Sequence, residues 1–514
     1  MADNENPRAL ADAQGGTDHS EILDSPHNTK IPPRPQPAQF LESVRNDARN
    51  DLFKPTVQLN RPAPLETADQ FADQFFRADC DATGTRHSRL GLVRSAGQFY
   101  AWDGARYVLI PDEDIKAGLY HWLRHAVYFK SGKEQPFNPN VNSVGAVFDA
   151  LKAVARRPIG VSEPAWLDPN WNPDPRSYVA FQNGRLELRS FMLEPHTPDF
   201  FNLSALPFDY DPYFDETPAW DQFLESIWPD DPEAIDCLQE MFGYLVSGST
   251  RLHKMLMIIG PKRSGKGTIG RVLNALLGAD NCCGPTLDSL AGPFGLAPLI
   301  GKSLAVVSDA RFSGKQKAVV ERLLMVSGED AVSVDRKHAS AVECKLPTRF
   351  LIMSNELPAL EDASSALSSR FVLLTMTNSF IGREDHELAG KLMDELPGIL
   401  NWALRGLRRL NERERFTVPS SSESAMTDLE ELGSPISAFV DEYCVIGPDY
   451  SVPTMDLFVL WKHWCQEAGR ASPGTLAIFG RNLHSAYPGI KKKRSSDGRR
   501  PWLYSGLRLI PREI

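Results

Sequence analysis

The residues with the most chemical content lie mid-chain, where positions 260–268 read Gly-Pro-Lys-Arg-Ser-Gly-Lys-Gly-Thr. Gly260 and Gly265 let the backbone turn its N–H groups inward around an anion, with Pro261, Lys262, Arg263, Ser264 and Gly267 completing the loop. Lys266 carries a charge that can reach two adjacent phosphates, and a helix starting here adds partial positive charge at its N-terminus. The usual spelling places Ser or Thr directly after the lysine to hold Mg²⁺; here Gly267 intervenes, and the metal-holding hydroxyl is assigned to Thr268. About 40 residues further on, Ser308-Asp309 closes an apolar run. Asp309 is the acid such a loop needs to hold Mg²⁺ and orient the attacking water. Asn355, within Ser-Asn-Glu at 354–356, ends another apolar run, where its amide senses a terminal phosphate or caps a turn. Arg370 precedes a fourth run, and its guanidinium suits charge developing on a transferring phosphate. This set points to ATP and Mg²⁺ as cofactors.

The elements that must position these groups follow from the apolar pattern. Residues 255–259 form a five-residue apolar run ahead of the loop, and 269–277 continue as an amphipathic helix. Further apolar runs at 304–307, 350–353 and 371–374 alternate with helical stretches, which predicts a three-layer α/β domain around a largely parallel sheet. The chain divides into a disordered Pro- and Asn-rich tail (1–66), an α+β region (67–217), a helical connector (218–250), the loop-bearing domain (251–411), a linker (412–434) and a C-terminal module (435–514). In the α+β region, Asp103-Gly104 and Asn183-Gly184 predict hairpin turns, and 114–129 and 142–154 predict helices. The stretch 388–411 reads as one closing helix, and 418–423 as a hinge.

With 514 residues there is room for about three domains. The net charge of −10 argues against a nucleic-acid partner only if it is spread evenly, so local clusters matter more. The seven cysteines include no Cys-x-x-Cys pair and are expected to be reduced and structural. His463 and Cys465, two apart on a helix, fall on different faces. No apolar run approaches the about 18 residues of a membrane span, so the expectation is a soluble protein of the cytoplasm with no membrane contact.

Two basic clusters stand out. Residues 331–334 and 342–345 alternate around a polar tip holding Arg336, Lys337 and His338, which predicts a β-hairpin. Near the C-terminus, helices at 454–468 and 474–485 lead to Lys491, Lys492, Lys493 and Arg494 as a basic loop, then a strand at 502–509. Both clusters can neutralise phosphate without reading sequence; both can equally be solvated surface. Leu457, Trp461 and Trp464 at helical spacing, like Trp402 and Phe242, read as core.

Taken in series, 260–268, 308–309, 354–356 and 369–371 resemble the four ATPase motifs of superfamily 3 helicases. Segments 186–188, 207–211, 346–350 and 395–402 resemble the helicase part of phage and plasmid primase-helicases, a branch shared with poxvirus primase-helicases. The resemblance runs from about residue 90 to the C-terminus. It implies an AAA+-like P-loop core, an α+β N-terminal region, and a winged-helix-like DNA-binding module. It further implies a homo-hexameric ring moving on single-stranded or forked DNA, with Asp309 serving its own pocket and Arg370 a neighbour's. Lys337-His338 matches the pore hairpin of papillomavirus and polyomavirus initiators. One departure is Ser308, where many members carry a second acid. No polymerase-type acidic motif is evident, so a primase or polymerase would be a separate partner. The expected function is an ATP-dependent DNA helicase or translocase in replication of a phage, plasmid or integrated element; the alternatives are a DNA-binding initiator or regulatory ATPase switch, and a nucleotide kinase suggested by Gly267-Thr268.

Overall fold

The computed structural model describes residues 37–45, 57–60, 63–80, 87–157, 163–310, 316–337, 339–358, 366–433, 435–467, 473–494 and 501–511. The first element, α1 (Pro37–Arg45), lies inside the stretch expected to be tail, as does the start of α2 (Pro64–Phe76). The expectation of disorder through residue 66 is therefore corrected for both. Phe40 is the reason: it is fully buried, with its ring 4.9 Å from Phe76 and 5.7 Å from Phe75. A single aromatic anchor of this size outweighs a polar local composition.

Three antiparallel strands follow, β1 (Leu92–Ser95), β2 (Gln98–Trp102) and β3 (Tyr107–Ile110). The Asp103 carboxylate accepts from the Ala105 and Arg106 N–H groups and fixes the expected turn. Helix α3 (Asp112–Arg124) is shorter than expected, because Val127–Lys130 leaves the helical pattern to pair with Lys133–Pro136. Helix α4 (Val141–Val154) starts at an Asn140–Ser143 capping box. A second antiparallel sheet is formed by β4 (Tyr178–Ala180), β5 (Arg185–Glu187) and β6 (Met192–Glu194), in the order β6-β5-β4.

Helices α5 (Pro218–Ile227) and α6 (Pro232–Val246) connect this region to a five-stranded parallel sheet. Its members are β7 (Met255–Ile259), β8 (Cys282–Cys283), β9 (Leu304–Val307), β12 (Arg349–Ser354) and β13 (Phe371–Thr375), in the order β8-β9-β12-β7-β13. Further elements of the domain are α7 (Lys266–Leu277), α8 (Gln316–Ser327), the hairpin β10 (Val332–Arg336) and β11 (Ala339–Cys344), and α9 (Leu388–Asp394), α10 (Leu396–Arg413) and α11 (Ser420–Gly433). Alternation along β7 makes the three layers: Leu256 and Ile258 join the core shared with α5, α6, α7 and α10, whereas Met255, Met257 and Ile259 join the core with α8. All five are buried, as expected of a strand covered on both faces.

The stretch 388–411 is two helices rather than one. Glu395 separates them, and its carboxylate accepts from the Ala219 and Trp220 N–H groups at the start of α5. Helices α6 and α10 cross where a Cβ on Gly243 would lie 2.4 Å from the Ala403 carbonyl, and one on Gly406 would lie 2.4 Å from that of Gln239. Beside this crossing Glu240, fully buried, accepts from Arg409 Nε at 2.7 Å and from the Thr417 N–H at 2.7 Å. The stretch 418–423, expected as a hinge, follows directly on this anchor, and its residues from Ser420 onward belong to α11. The linker expected over 412–434 is largely helix α11, whose Leu429 is buried in the core with α8.

The last module runs α12 (Pro435–Tyr443), β14 (Cys444–Pro453), α13 (Thr454–Glu467), α14 (Leu476–Ala486), β15 (Lys491–Arg494) and β16 (Trp502–Leu509). Its sheet order is β14-β16-β15, and Leu457, Trp461, Trp464, Phe479 and Leu483 fill its core. Trp402 and Phe242 are also core. No helix among the described residues is long and apolar enough to cross a membrane.

Candidate nucleotide site

Parallel pairing brings Ile259 level with both Ser354 and Thr375, and Val307 level with Ile352. Gly260, Asp309 and Asn355 consequently emerge along one edge, the carboxyl ends of β7, β9 and β12. Ligands of open α/β sheets bind at that edge. The Asp309 loop is tied there: the Ala310 N–H donates to Met353 O at 2.9 Å, and Ser354 Oγ donates to Ala310 O at 3.2 Å. Asp309 itself has φ +48, the left-handed region that a non-glycine residue enters only when its surroundings fix it.

Two loop glycines are required by geometry. A Cβ on Gly260 would lie 2.7 Å from the Met376 carbonyl, and Gly265, with φ +102, is the left-handed residue from which α7 starts. Ser264 is buried; Pro261, Lys262, Arg263 and Gly267 are exposed, and Arg263, with φ +61, lies 3.7 Å from Glu384. Lys266 folds back over the loop. Its Nζ donates to Gly260 O at 2.5 Å, Pro261 O at 2.8 Å, Ser264 Oγ at 3.3 Å and Asn355 Oδ1 at 3.2 Å. Burial holds its ammonium below the usual lysine range, opposed by the Asp309 carboxylate. The structure thus brings Lys266, Asp309 and Asn355 into one electrostatic unit. The Thr268 hydroxyl lies two residues on and accepts from Arg271 at 3.0 Å. From sequence, Ser354 enters only as part of Ser-Asn-Glu and Arg271 not at all; the three-residue helical spacing of Arg271 from Thr268 is the signal that could have found it.

Arg370 is not part of this cluster. It precedes β13, so it stands at the amino ends of the strands, where it donates to Ser327 Oγ at 3.3 Å and depresses the pKa of Lys254, which burial already lowers. A cavity of about 140 Å³, lined among others by Glu163, Arg176, Lys302, Glu329 and Lys345, opens at that same end and is separate from the loop.

The hairpin β10–β11 forms as expected, with Val332 and Val334 buried and Ser333 and Asp335 exposed. Lys337 is exposed at the tip, and His338 lies outside the described residues. Arg336 is partly covered and close enough to Tyr100 to oppose the burial that pushes that phenol up to about 12. In the last module, Lys491, Lys492, Lys493 and Arg494 are all exposed, but as the strand β15 rather than a loop. Lys492 Nζ and Arg494 Cζ each lie 5.0 Å from the centre of the Trp502 ring, itself 44% exposed.

Two solved structures resemble the chain in part. The apo C-terminal region of NrS-1 (residues 305–718) is 12% identical over 80% of this chain and 94% of that one, with a TM-score of 0.47. Its A form is 13% identical over 81% and 96%, also at 0.47. Residues 258–370, which run from the 260–268 loop through Arg370, match a family of unknown function (DUF5906). Residues 86–229 match the family described as D5 N terminal like, and α6, between the two matches, joins that region to the loop-bearing domain.

Proposed function

We propose that this chain is an ATP-dependent DNA helicase or translocase of the phage and plasmid primase-helicase type, hydrolysing ATP at the subunit interfaces of a ring. The observation that carries this reading is the split of the charged groups between the two ends of one sheet. Lys266, Thr268, Asp309 and Asn355 share the carboxyl edge, while Arg370 stands at the amino edge. A guanidinium so placed serves a pocket only when a neighbouring copy presents its own carboxyl edge to it, as in a closed ring of head-to-tail subunits.

Within the pocket, the loop N–H groups and Lys266 would bind and orient the phosphates. Thr268 and Asp309 would hold Mg²⁺, which supplies charge neutralisation between the last two phosphates. Asp309 and Asn355 would place the attacking water, with Asp309 taking both acidic duties because Ser308 stands where a second acid is common. The neighbour's Arg370 would stabilise charge on the transferring phosphate. Lys337 would meet the DNA backbone, and β15 with α14 would form a winged-helix-like contact in which Trp502, flanked by two cations, offers a stacking face. A separate primase or polymerase would complete the replication machinery.

The test compares ATP hydrolysis with and without single-stranded DNA, and unwinding of a forked duplex, in wild type and Lys266→Ala. DNA-stimulated turnover and unwinding that vanish in the variant support the motor. Binding of ATP and DNA without unwinding would favour an initiator or switch, which the lone acid at 308–309 recommends as the second reading. Phosphate passed to a nucleotide acceptor, with no response to DNA, would make the chain a kinase.

A further inference from the structure

Gly267 has no conformational or packing reason to be glycine. Its backbone is ordinary helix within α7, and a Cβ there would find only Arg271 Nη1, at 3.6 Å. Glycine inside a helix is unfavourable relative to alanine, and nothing in the chain's own packing offsets that cost here. The surface it leaves open is bounded by one group. Arg271 is exposed, and the one hydrogen bond of its side chain among the described residues is to Thr268 Oγ1. Helical side chains lean toward the N-terminus, so a residue three or four positions on lies over 267 and 268.

We propose that Arg271 and the open surface of Gly267 form the part of the nucleotide site that holds the phosphate nearest the nucleoside. The proposal rests on the ATP-binding reading above. Lys266 is bonded across the loop to Asn355, on the side where Asp309 stands, and this is the end for the terminal phosphate. Arg271 has no bond to Lys266, Asp309 or Asn355, and its one side-chain partner, Thr268, is the hydroxyl that Mg²⁺ would draw away from it. The two cations therefore flank the phosphate run from opposite ends, and Arg271 exchanges a neutral hydroxyl acceptor for an anionic oxygen, the stronger of the two partners. The absence of a side chain at 267 lets the phosphate approach the helix backbone.

The experiment measures dissociation constants for MgATP, MgADP and AMP by calorimetry on the full chain, with Arg271→Ala, Arg271→Lys, Gly267→Ala and Lys266→Ala, alongside thermal midpoints without nucleotide. Arg271→Ala should weaken ATP and ADP alike by about tenfold, the scale of one charge-assisted hydrogen bond, with its thermal midpoint unchanged. Arg271→Lys should recover part of the loss. Gly267→Ala should raise the thermal midpoint, because alanine favours the helix, yet weaken both nucleotides. Unchanged affinities in Arg271→Ala, or a loss confined to ATP, would overturn the assignment to the nucleoside-side phosphate. If wild type binds neither ATP nor ADP, and Lys266→Ala is indistinguishable from it, the nucleotide reading itself falls together with this one.

Discussion

If Arg370 works on a neighbour's pocket, two inactive variants should restore each other. Phe371 pairs with Met255 and Thr375 with Ile259, so the arginine and the loop of its own chain are separated by the length of a five-residue strand. At about 3.3 Å per residue that is roughly 16 Å, beyond hydrogen-bond reach for one side chain. An arginine of this kind contributes about 10³ to 10⁵ in rate, so Arg370→Ala alone should fall to background, as should Lys266→Ala. In an equal mixture, about a quarter of the interfaces pair a subunit carrying Lys266 with a neighbour carrying Arg370, if subunits assemble at random in a closed ring. The steady-state ATPase rate, titrated across mixing ratios at constant total protein, should therefore peak at equal mixing at about a quarter of the wild-type value. Arg370→Lys should not substitute, because an ammonium lacks the planar fork. A rate that never exceeds that of either variant alone, at any ratio, would refute the shared pocket and leave Arg370 as a support for Ser327.

Three further outcomes follow from particular contacts. Burial lowers the pKa of Lys266 and phosphate oxygens raise it, so MgATP binding should take up a proton as pH climbs toward the ordinary lysine value of 10.5, with affinity falling over the same window; calorimetry in buffers of different ionisation heat reads this, and proton release would contradict it. Replacing Lys491, Lys492 and Lys493 together by alanine should lower the slope of log affinity for single-stranded DNA against log salt by about 2, with basal ATP hydrolysis retained; an unchanged slope returns β15 to plain surface. Glu240→Ala should destabilise by about 1 to 3 kcal/mol, since it leaves the Thr417 N–H without its buried acceptor while Arg409 keeps Gln239 and Asp236; chemical denaturation with an unchanged midpoint would contradict this.

The loop, its strand and its helix were legible because they are local. Five apolar residues, a glycine turn and an amphipathic stretch dictate strand, loop and helix wherever they occur, and Met255–Ile259 and Lys266–Leu277 fall where the pattern places them. The hairpin around Lys337 was legible for the same reason, its two-residue alternation surviving as buried Val332 and Val334. The failures share a cause as well. Pro37–Arg45, the segment from residue 417 and Ser420–Gly433 have polar, turn-rich compositions, and each is held by contacts distant in sequence: the Phe71, Phe75 and Phe76 rings for Phe40, Glu240 for Thr417, and the α8 core for Leu429. Lys491–Arg494 resembled a loop because four consecutive cations carry no alternation, and only pairing with Trp502–Leu509 made them a strand.

What the sequence determined by itself was the list of groups that could handle a phosphate, because residue type and short spacing are local properties of the chain. Only the tertiary structure decided how they divide. The order in which parallel strands line up set Lys266, Asp309 and Asn355 at one edge, pulled the lysine onto Asn355, and left Arg370 a strand's length away. It also showed which loop glycines the chain itself needs, since Gly260 and Gly265 are fixed by Met376 and by a left-handed backbone, and Gly267 by neither. Strand order and close approach arise from contacts between residues far apart in sequence, and no spacing read along the chain contains them.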